Sequence, residues 1–323
     1  MLRRRMAALA AGAAALMVAA GCGSAGGSGG GDSITLGFAQ VGAESGWRTA
    51  NTKSVRQAAR DAGIELKFSD AQQKQENQIK AIRSFIQQRV DVIAFSPVVE
   101  SGWDTVLKEA QRADIPVVLT DRAIDSPDTS LYETFLGSDF VEEGRKAGRW
   151  VTEEFGDAEG TVRIAELQGT TGSAPANDRK QGFAEVIGND AKYKIVASQT
   201  GDFTRAKGKE VMEAFLKSAG EIDVLYAHND DMALGAIEAI EGAGLKPGED
   251  IKIVSVDGVK DALQAAADGE INYVVECNPL LGPQLMDLVK KVAAGEQVPK
   301  RVEVEETAFD QQAAEKALPD RKY

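Results

Sequence analysis

From Ser33 onward, this 323-residue chain alternates strand-like and helix-like stretches almost without a break. "ITLGFAQV" reads as a strand, and "WRTANTKSVRQAARDAG" follows as a helix that Gly63 can stop. "IELKFSD" alternates apolar and polar residues, as a half-buried strand does. "KQENQIKAIRSFIQQR" puts Ile79, Ile82, Phe85 and Ile86 on one helical face. "VDVIAFSP", "GWDTVLKEAQRA" and "IPVVLT" continue as strand, helix and strand. The second half repeats the series from "GRKAGRWVTEEF" to "INYVVE", including "NDRKQGFAEVIG", a helix for which Asn177 is a suitable cap. Alternation of this kind produces parallel sheets covered by helices on both faces.

Two sets of strands in a chain of this length suit two lobes. The expected fold is therefore α/β, with two doubly wound parallel-sheet lobes. No long linker separates the sets, so a three-strand hinge is expected. The crossings fall near "LGSDF", near "VVECNP" and near "KRVEVEETAFD". The first lobe takes residues 33–139 plus about 278–301, and the second takes about 140–276 plus 305–323.

The N-terminus has a different character. "MLRRRM" is basic, and "AALAAGAAALMVAA" is apolar but short for a bilayer span. Residues 1–21 read as a signal peptide for export. "AAGC" resembles the bacterial lipoprotein signal, in which the cysteine, here Cys22, is lipidated and becomes the mature N-terminus. Ala19 stands where leucine is commonest. Several acyl chains anchor a protein stably where one does not. Residues 22–32, rich in glycine and serine, would then be a flexible, lipid-anchored tether at the extracytoplasmic face of the membrane.

Charge and rare residues exclude several functions. The chain carries 37 Lys+Arg against 50 Asp+Glu, and loss of the signal peptide removes three arginines and no acid. Such an acidic protein is poorly suited to nucleic acid. Cys277 is the only cysteine besides Cys22, so no disulfide is expected, and it reads as a small core residue. His228 is the only histidine, which argues against a zinc site; no metal and no cofactor are expected.

Polar residues recur where the strands end, which is where open parallel sheets bind ligands. "ESGWR" (Glu44, Ser45, Gly46, Trp47, Arg48) follows the first strand. Asp121-Arg122 follows "IPVVLT", Gln168 follows "TVRIAEL", and His228-Asn229-Asp230 follows "DVLYA". Asp257 ends "IKIVSVD", and Glu276 ends "INYVVE". Singly, each has a plain structural role open to it: Asn229 or Asp230 can cap a helix, and Asp257-Gly258 can be a turn. Jointly they supply carboxylate acceptors, guanidinium and amide donors and a flat indole face. That set suits a small polyol with C–H faces, a sugar.

These same stretches carry a resemblance. "VGAESGWRTANTKSVRQAARDAGIELKFSDAQQKQENQIKAIRSFI", "PVVESGWDTVLKEAQRADIPVVLTDR", "DRKQGFAE", "GDFTRAKGKEVMEAF", "YAHNDDMALGAI", "AGLKPGEDI" and "VDGV" are similar to sugar-binding subunits of bacterial ABC importers. Within these type I periplasmic-binding proteins of ribose/galactose type, "ESGWR" and "AQQKQENQIKA" resemble the galactofuranose-binding branch. The resemblance implies a two-lobed monosaccharide binder that closes on its sugar and delivers it to a membrane permease, acting as a monomer. It implies sugar contacts from Glu44, Ser45, Gly46, Trp47, Arg48, Asp121 and Arg122 on one lobe. From the other lobe it implies Arg179, Asn229 and Asp257, with Glu276 near the hinge. Arabinofuranose differs by one hydroxymethyl group and stays open as a ligand.

Two other classes compete. Paired carboxylates such as Asp121 and Asp257 would suit a glycosidase, yet no nucleophile motif accompanies them, and "GDFTRAKGKE" lacks phosphate-loop spacing. A sugar sensor presenting its ligand to a membrane signalling receptor has the same lobes and remains open.

Overall fold

The computed structural model describes residues 33–323; the expected signal peptide, Cys22 and tether lie outside the described residues. Twelve strands form two six-stranded sheets. The first sheet holds β1 (Thr35–Gln40), β2 (Glu65–Asp70), β3 (Val92–Phe95), β4 (Val117–Thr120), β5 (Thr134–Gly137) and β11 (Arg301–Glu303), in the order β11-β5-β4-β3-β1-β2. The second holds β6 (Val162–Gln168), β7 (Tyr193–Thr200), β8 (Val224–Ala227), β9 (Lys252–Asp257), β10 (Tyr273–Glu276) and β12 (Ala308–Phe309), in the order β12-β10-β9-β8-β6-β7. Pairing is parallel throughout except between β10 and β12. The central strands are buried on both faces and read as continuous apolar runs, whereas the edge strand β2 alternates apolar and polar residues and the edge strand β7 is largely exposed.

The helices are α1 (Gly46–Ala62), α2 (Gln75–Gln87), α3 (Asp104–Arg112), α4 (Phe140–Glu154), α5 (Ala174–Ile187), α6 (Arg205–Ser218), α7 (Asp230–Gly242), α8 (Lys260–Ala267), α9 (Gly282–Ala293) and α10 (Gln311–Ala317). Gly63 ends α1 in the left-handed conformation, φ 69°, and its N–H returns to the carbonyls of Ala59 and Arg60. Helix α5 begins earlier than expected. Pro175 fixes a helical φ in its first turn, so Asn177 lies inside the helix and does not cap it.

The chain passes between sheets three times: between β5 and α4, between β10 and α9, and between β11 and β12. The three-strand hinge is thus present, and α9 returns to pack in the first lobe beside α1. Apolar clusters lie on both faces of the first sheet. The second sheet has a single large core that also takes in Trp47 from α1. The lobes therefore share an aromatic residue at their junction.

Helices α4 and α5 approach too closely for side chains between them. A Cβ at Gly144 would strike the Arg179 carbonyl oxygen, and one at Gly182 would strike the Val141 carbonyl oxygen. This contact sets the height of Arg179 above the cleft. We expect Gly182→Ala to cost about 1–3 kcal/mol by overpacking, read as a lower denaturation midpoint in urea with an unchanged slope.

Candidate functional site

The sheets bring their carboxyl ends to one cleft. On the first lobe, Ser45 caps α1: its hydroxyl accepts from the Arg48 N–H at 3.1 Å. That cap turns Trp47 and Arg48 inward, where both are buried. Arg48 donates to Glu44 Oε1 at 3.1 Å, to Gln40 Oε1 at 3.2 Å and to Ser96 Oγ at 3.4 Å, and its Nη2 lies 2.6 Å from Asp121 Oδ2. Burial works against its charge, but Asp121 and Glu44 hold its pKa above the usual arginine range. The Ser96 hydroxyl donates to Asp121 Oδ2 at 2.8 Å. Asp121 has a φ of 64°, and its N–H donates to the Leu136 carbonyl at 2.7 Å.

Arg122 is less well compensated. Its Nη1 donates to the Val98 carbonyl at 3.3 Å, and its Nη2 lies 3.5 Å from Glu44 Oε1. Burial, with repulsion from Arg48 and Arg179, brings its pKa down to about 10. Its Nε and Glu44 Oε2 are buried without partners among the described residues.

The second lobe answers with Arg179, Asn229 and Asp257, all buried. Arg179 Nε donates to Glu143 Oε2 at 2.6 Å, Nη1 donates to the His228 carbonyl at 2.5 Å, and Nη2 lies 3.7 Å from Asp257 Oδ1. Burial raises the Asp257 pKa well above the carboxylate range, against the pull of Arg179. Asn229 caps α7 by accepting from Met232 N–H at 3.0 Å, and its amide donates to the Phe203 carbonyl at 3.1 Å.

Between the lobes lies a small cavity. Glu44, Ser45, Trp47, Arg48, Asp121 and Arg122 line it from one side; Arg179, Asn229 and Asp257 line it from the other. Two proposed residues lie elsewhere. Gly46 is at the rim, where its N–H donates across the cleft to Asp231 Oδ2 at 2.8 Å. Glu276 does not face the cavity: its carboxylate accepts from Arg321 at 2.7 Å, from the Tyr323 hydroxyl at 3.0 Å and from Thr307 N–H at 3.2 Å. It clamps the C-terminal segment. Its neighbour Cys277 points the other way, as successive side chains on extended backbone do, and lines the cavity.

Three lining residues escaped the sequence reading: Cys277, Pro175 and Phe203. Phe203 sits in "GDFTR" with a φ of 61°, under the Arg122 guanidinium at 5.3 Å. An aromatic residue just beyond a strand end and just before the Thr204 cap was the available signal. The cavity thus has apolar walls from both lobes, Trp47 and Phe203, between carboxylates and guanidiniums.

A family profile described as periplasmic binding protein domain matches residues 36–297. The chain belongs to the periplasmic binding protein family. It is 50% identical over 272 residues to the galactofuranose-binding protein YtfQ of Escherichia coli, covering 83% of this chain and 85% of that one. A solved Mycobacterium smegmatis protein in complex with β-D-fucofuranose superposes with a TM-score of 0.89 at 66% identity, over 90% of this chain and 96% of that one. The periplasmic binding component of an arabinose ABC transporter from Shewanella, bound to α- and β-L-arabinofuranose, gives 0.86 at 53% identity, over 90% and 96%. As a periplasmic binding protein of the importer type, this is a sugar-binding protein that works outside the cytoplasm, not an enzyme.

Behind Arg179, the hinge gathers a second set of acids. Glu306, on the third crossing, accepts from the Ser138 hydroxyl of the first crossing at 2.5 Å and from Asn278 N–H of the second at 2.8 Å. Ligating atoms of Glu143, Cys277 and Glu306 lie within 4.8 Å of one another. Arg179 already occupies one oxygen of Glu143, so a proton shared by the two carboxyls, not a divalent cation, suits the charge there. Burial and the Glu143 charge push the Glu306 pKa up to about 9, and burial raises the Cys277 thiol. A carboxyl that keeps its proton when folded and loses it near 4.5 when unfolded makes the native state the greater proton binder. This contribution is complete below pH 4.5 and is lost as pH rises to about 9. We expect Glu306→Gln, neutral at every pH, to flatten the fall in thermal stability over that window, followed by calorimetric melts at successive pH values.

Proposed function

We propose that this protein is an extracytoplasmic lipoprotein that captures a furanose monosaccharide, foremost galactofuranose, by closing its lobes, and delivers it to an ABC transporter permease. The observation that carries this reading is the cavity walled by both lobes. The partnerless Glu44 Oε2 and Arg122 Nε offer an acceptor and a donor to hydroxyls. Trp47 and Phe203 offer faces for ring C–H groups.

Relatives that bind galactofuranose, fucofuranose and arabinofuranose support the ring form. These sugars share a five-membered ring and differ in its exocyclic arm. Arabinofuranose has one exocyclic carbon. Fucofuranose has two, ending in a methyl group, and galactofuranose has two, ending in a hydroxymethyl group. A reducing sugar in solution offers only its furanose fraction, so its apparent affinity is weakened by that fraction. A ligand shifts the lobes toward closure only by its greater affinity for the closed form. Contacts from both lobes meet that condition.

Calorimetry should show binding of equilibrated D-galactose, D-fucose and L-arabinose but none of methyl galactopyranosides, whose ring is locked. Scattering should show a smaller radius of gyration with the bound sugar. Tight binding of a locked pyranoside would overturn the furanose reading. Trp47→Ala should weaken binding at least tenfold while the fold persists.

Membrane attachment through Cys22 is supported by the lipoprotein-like "AAGC" that follows the apolar run of the signal peptide. With several acyl chains on that residue, Cys22→Ala should move the protein from the membrane pellet to the soluble fraction of lysed cells.

A further inference from the structure

Asp230 is fully buried, yet it neither lines the cavity nor caps α7, a task that Asn229 performs. Its carboxylate turns instead to the end of β9. Oδ1 accepts from the Ser255 hydroxyl, and Oδ2 accepts from the N–H groups of Gly258 at 2.6 Å and Val259 at 2.7 Å. Between Ser255 and Gly258 lies Asp257, whose φ of 129° is a region that non-glycine residues avoid. Such a conformation persists only where its surroundings over-determine it. Here the peptide between Asp257 and Gly258 is gripped at both edges. Its carbonyl accepts from Cys277 N–H at 2.9 Å, and its N–H is the one held by Asp230. Gly258, with a φ of 83°, supplies the turn that brings the next N–H to the same carboxylate.

We propose that Asp230 is a positioning residue for sugar binding: it holds Asp257 in its strained backbone conformation so that the Asp257 carboxylate projects into the cavity beside Arg179. Asp230 touches no ligand and acts through Asp257 alone. This inference rests on the sugar-site reading of Asp257 and adds the device that aims it.

A double-mutant cycle on the whole protein tests it, with equilibrated L-arabinose and D-galactose as calorimetric probes and the ligand-free thermal midpoint recorded for each variant. Asp257→Ala should weaken binding at least tenfold. Asp230→Asn keeps the shape but cannot accept on both sides, and it should also weaken binding about tenfold. In the Asp257→Ala background the further loss from Asp230→Asn should be under twofold, whatever the change in thermal midpoint. Should Asp230→Asn fail to fold, Ser255→Ala removes one of the three anchors and should show a smaller loss, about threefold, with the same coupling. A loss of equal size in both backgrounds would mean that Asp230 only stabilises the lobe, and the proposal falls. Unchanged affinity in Asp257→Ala alone would remove Asp257 from the site, and the proposal with it. Normal loss for Asp257→Ala with none for Asp230→Asn would overturn the proposal and leave the sugar site standing.

Discussion

Three guanidinium groups, those of Arg48, Arg122 and Arg179, are buried around one small cavity, and most of the surrounding structure follows from keeping them charged there. An uncompensated buried charge costs several kcal/mol. Arg48 is matched by Glu44 and Asp121, and Arg179 by Glu143 and Asp257. Both arrangements require exact backbone placement. Ser45 fixes the start of α1, Asp121 takes a positive φ, and Gly144 and Gly182 let α4 and α5 draw near enough for Arg179 to reach Glu143. Arg122 has Glu44 at 3.5 Å and Asp121 at 3.7 Å but hydrogen-bonds to neither carboxylate, which leaves its Nε free to donate into the cavity.

The hinge extends the same electrostatics away from the cavity. Arg179 links Asp257 at the cavity side to Glu143 at the hinge side. Glu306 joins residues of all three crossings through Ser138 and Asn278. A proton lost there adds a second negative charge beside Glu143, next to the arginine that lines the cavity. Hinge protonation and the cavity are therefore electrostatically coupled through one side chain.

Much of the fold was legible in the sequence because both sheets are parallel apart from β12. Parallel strands need helical crossovers, and crossovers impose the alternation that the residues display. Strand-end polar residues were legible for the same reason. What failed was finer than the topology. Pro175 moved the start of α5 past Asn177, a choice between two valid helix starts. The strand-end position of Glu276 suggests a ligand contact, but Arg321, which neutralises it, and Tyr323, which donates a hydrogen bond to it, lie far along the chain. Cys277, one residue on, is a core residue as its apolar surroundings imply, and it also borders the cavity, which those surroundings do not reveal. Phe203 was passed over because a lone aromatic residue in a loop has no periodicity to mark it.

Direct contacts between the lobes raise a question of selectivity. Gly46 meets Asp231, Glu100 N–H donates to the Gly172 carbonyl at 2.9 Å, and the Trp47 indole donates to the Cys277 carbonyl at 2.7 Å while its ring packs in the second lobe's core. By themselves these favour closure, whereas the proposed function needs closure to depend on the sugar. The opposing cost lies in the cavity. Glu44 Oε2 and Arg122 Nε are buried without a hydrogen-bond partner among the described residues, although Arg122 Nε lies 3.7 Å from Asp121 Oδ2. Each such buried group costs about 1–3 kcal/mol, more where it is charged. Sugar hydroxyls that satisfy both atoms remove that cost in the closed form alone, which is the differential affinity that closure requires. On this account, polar groups left unpaired by the fold, as much as those it pairs, make the protein respond to its ligand.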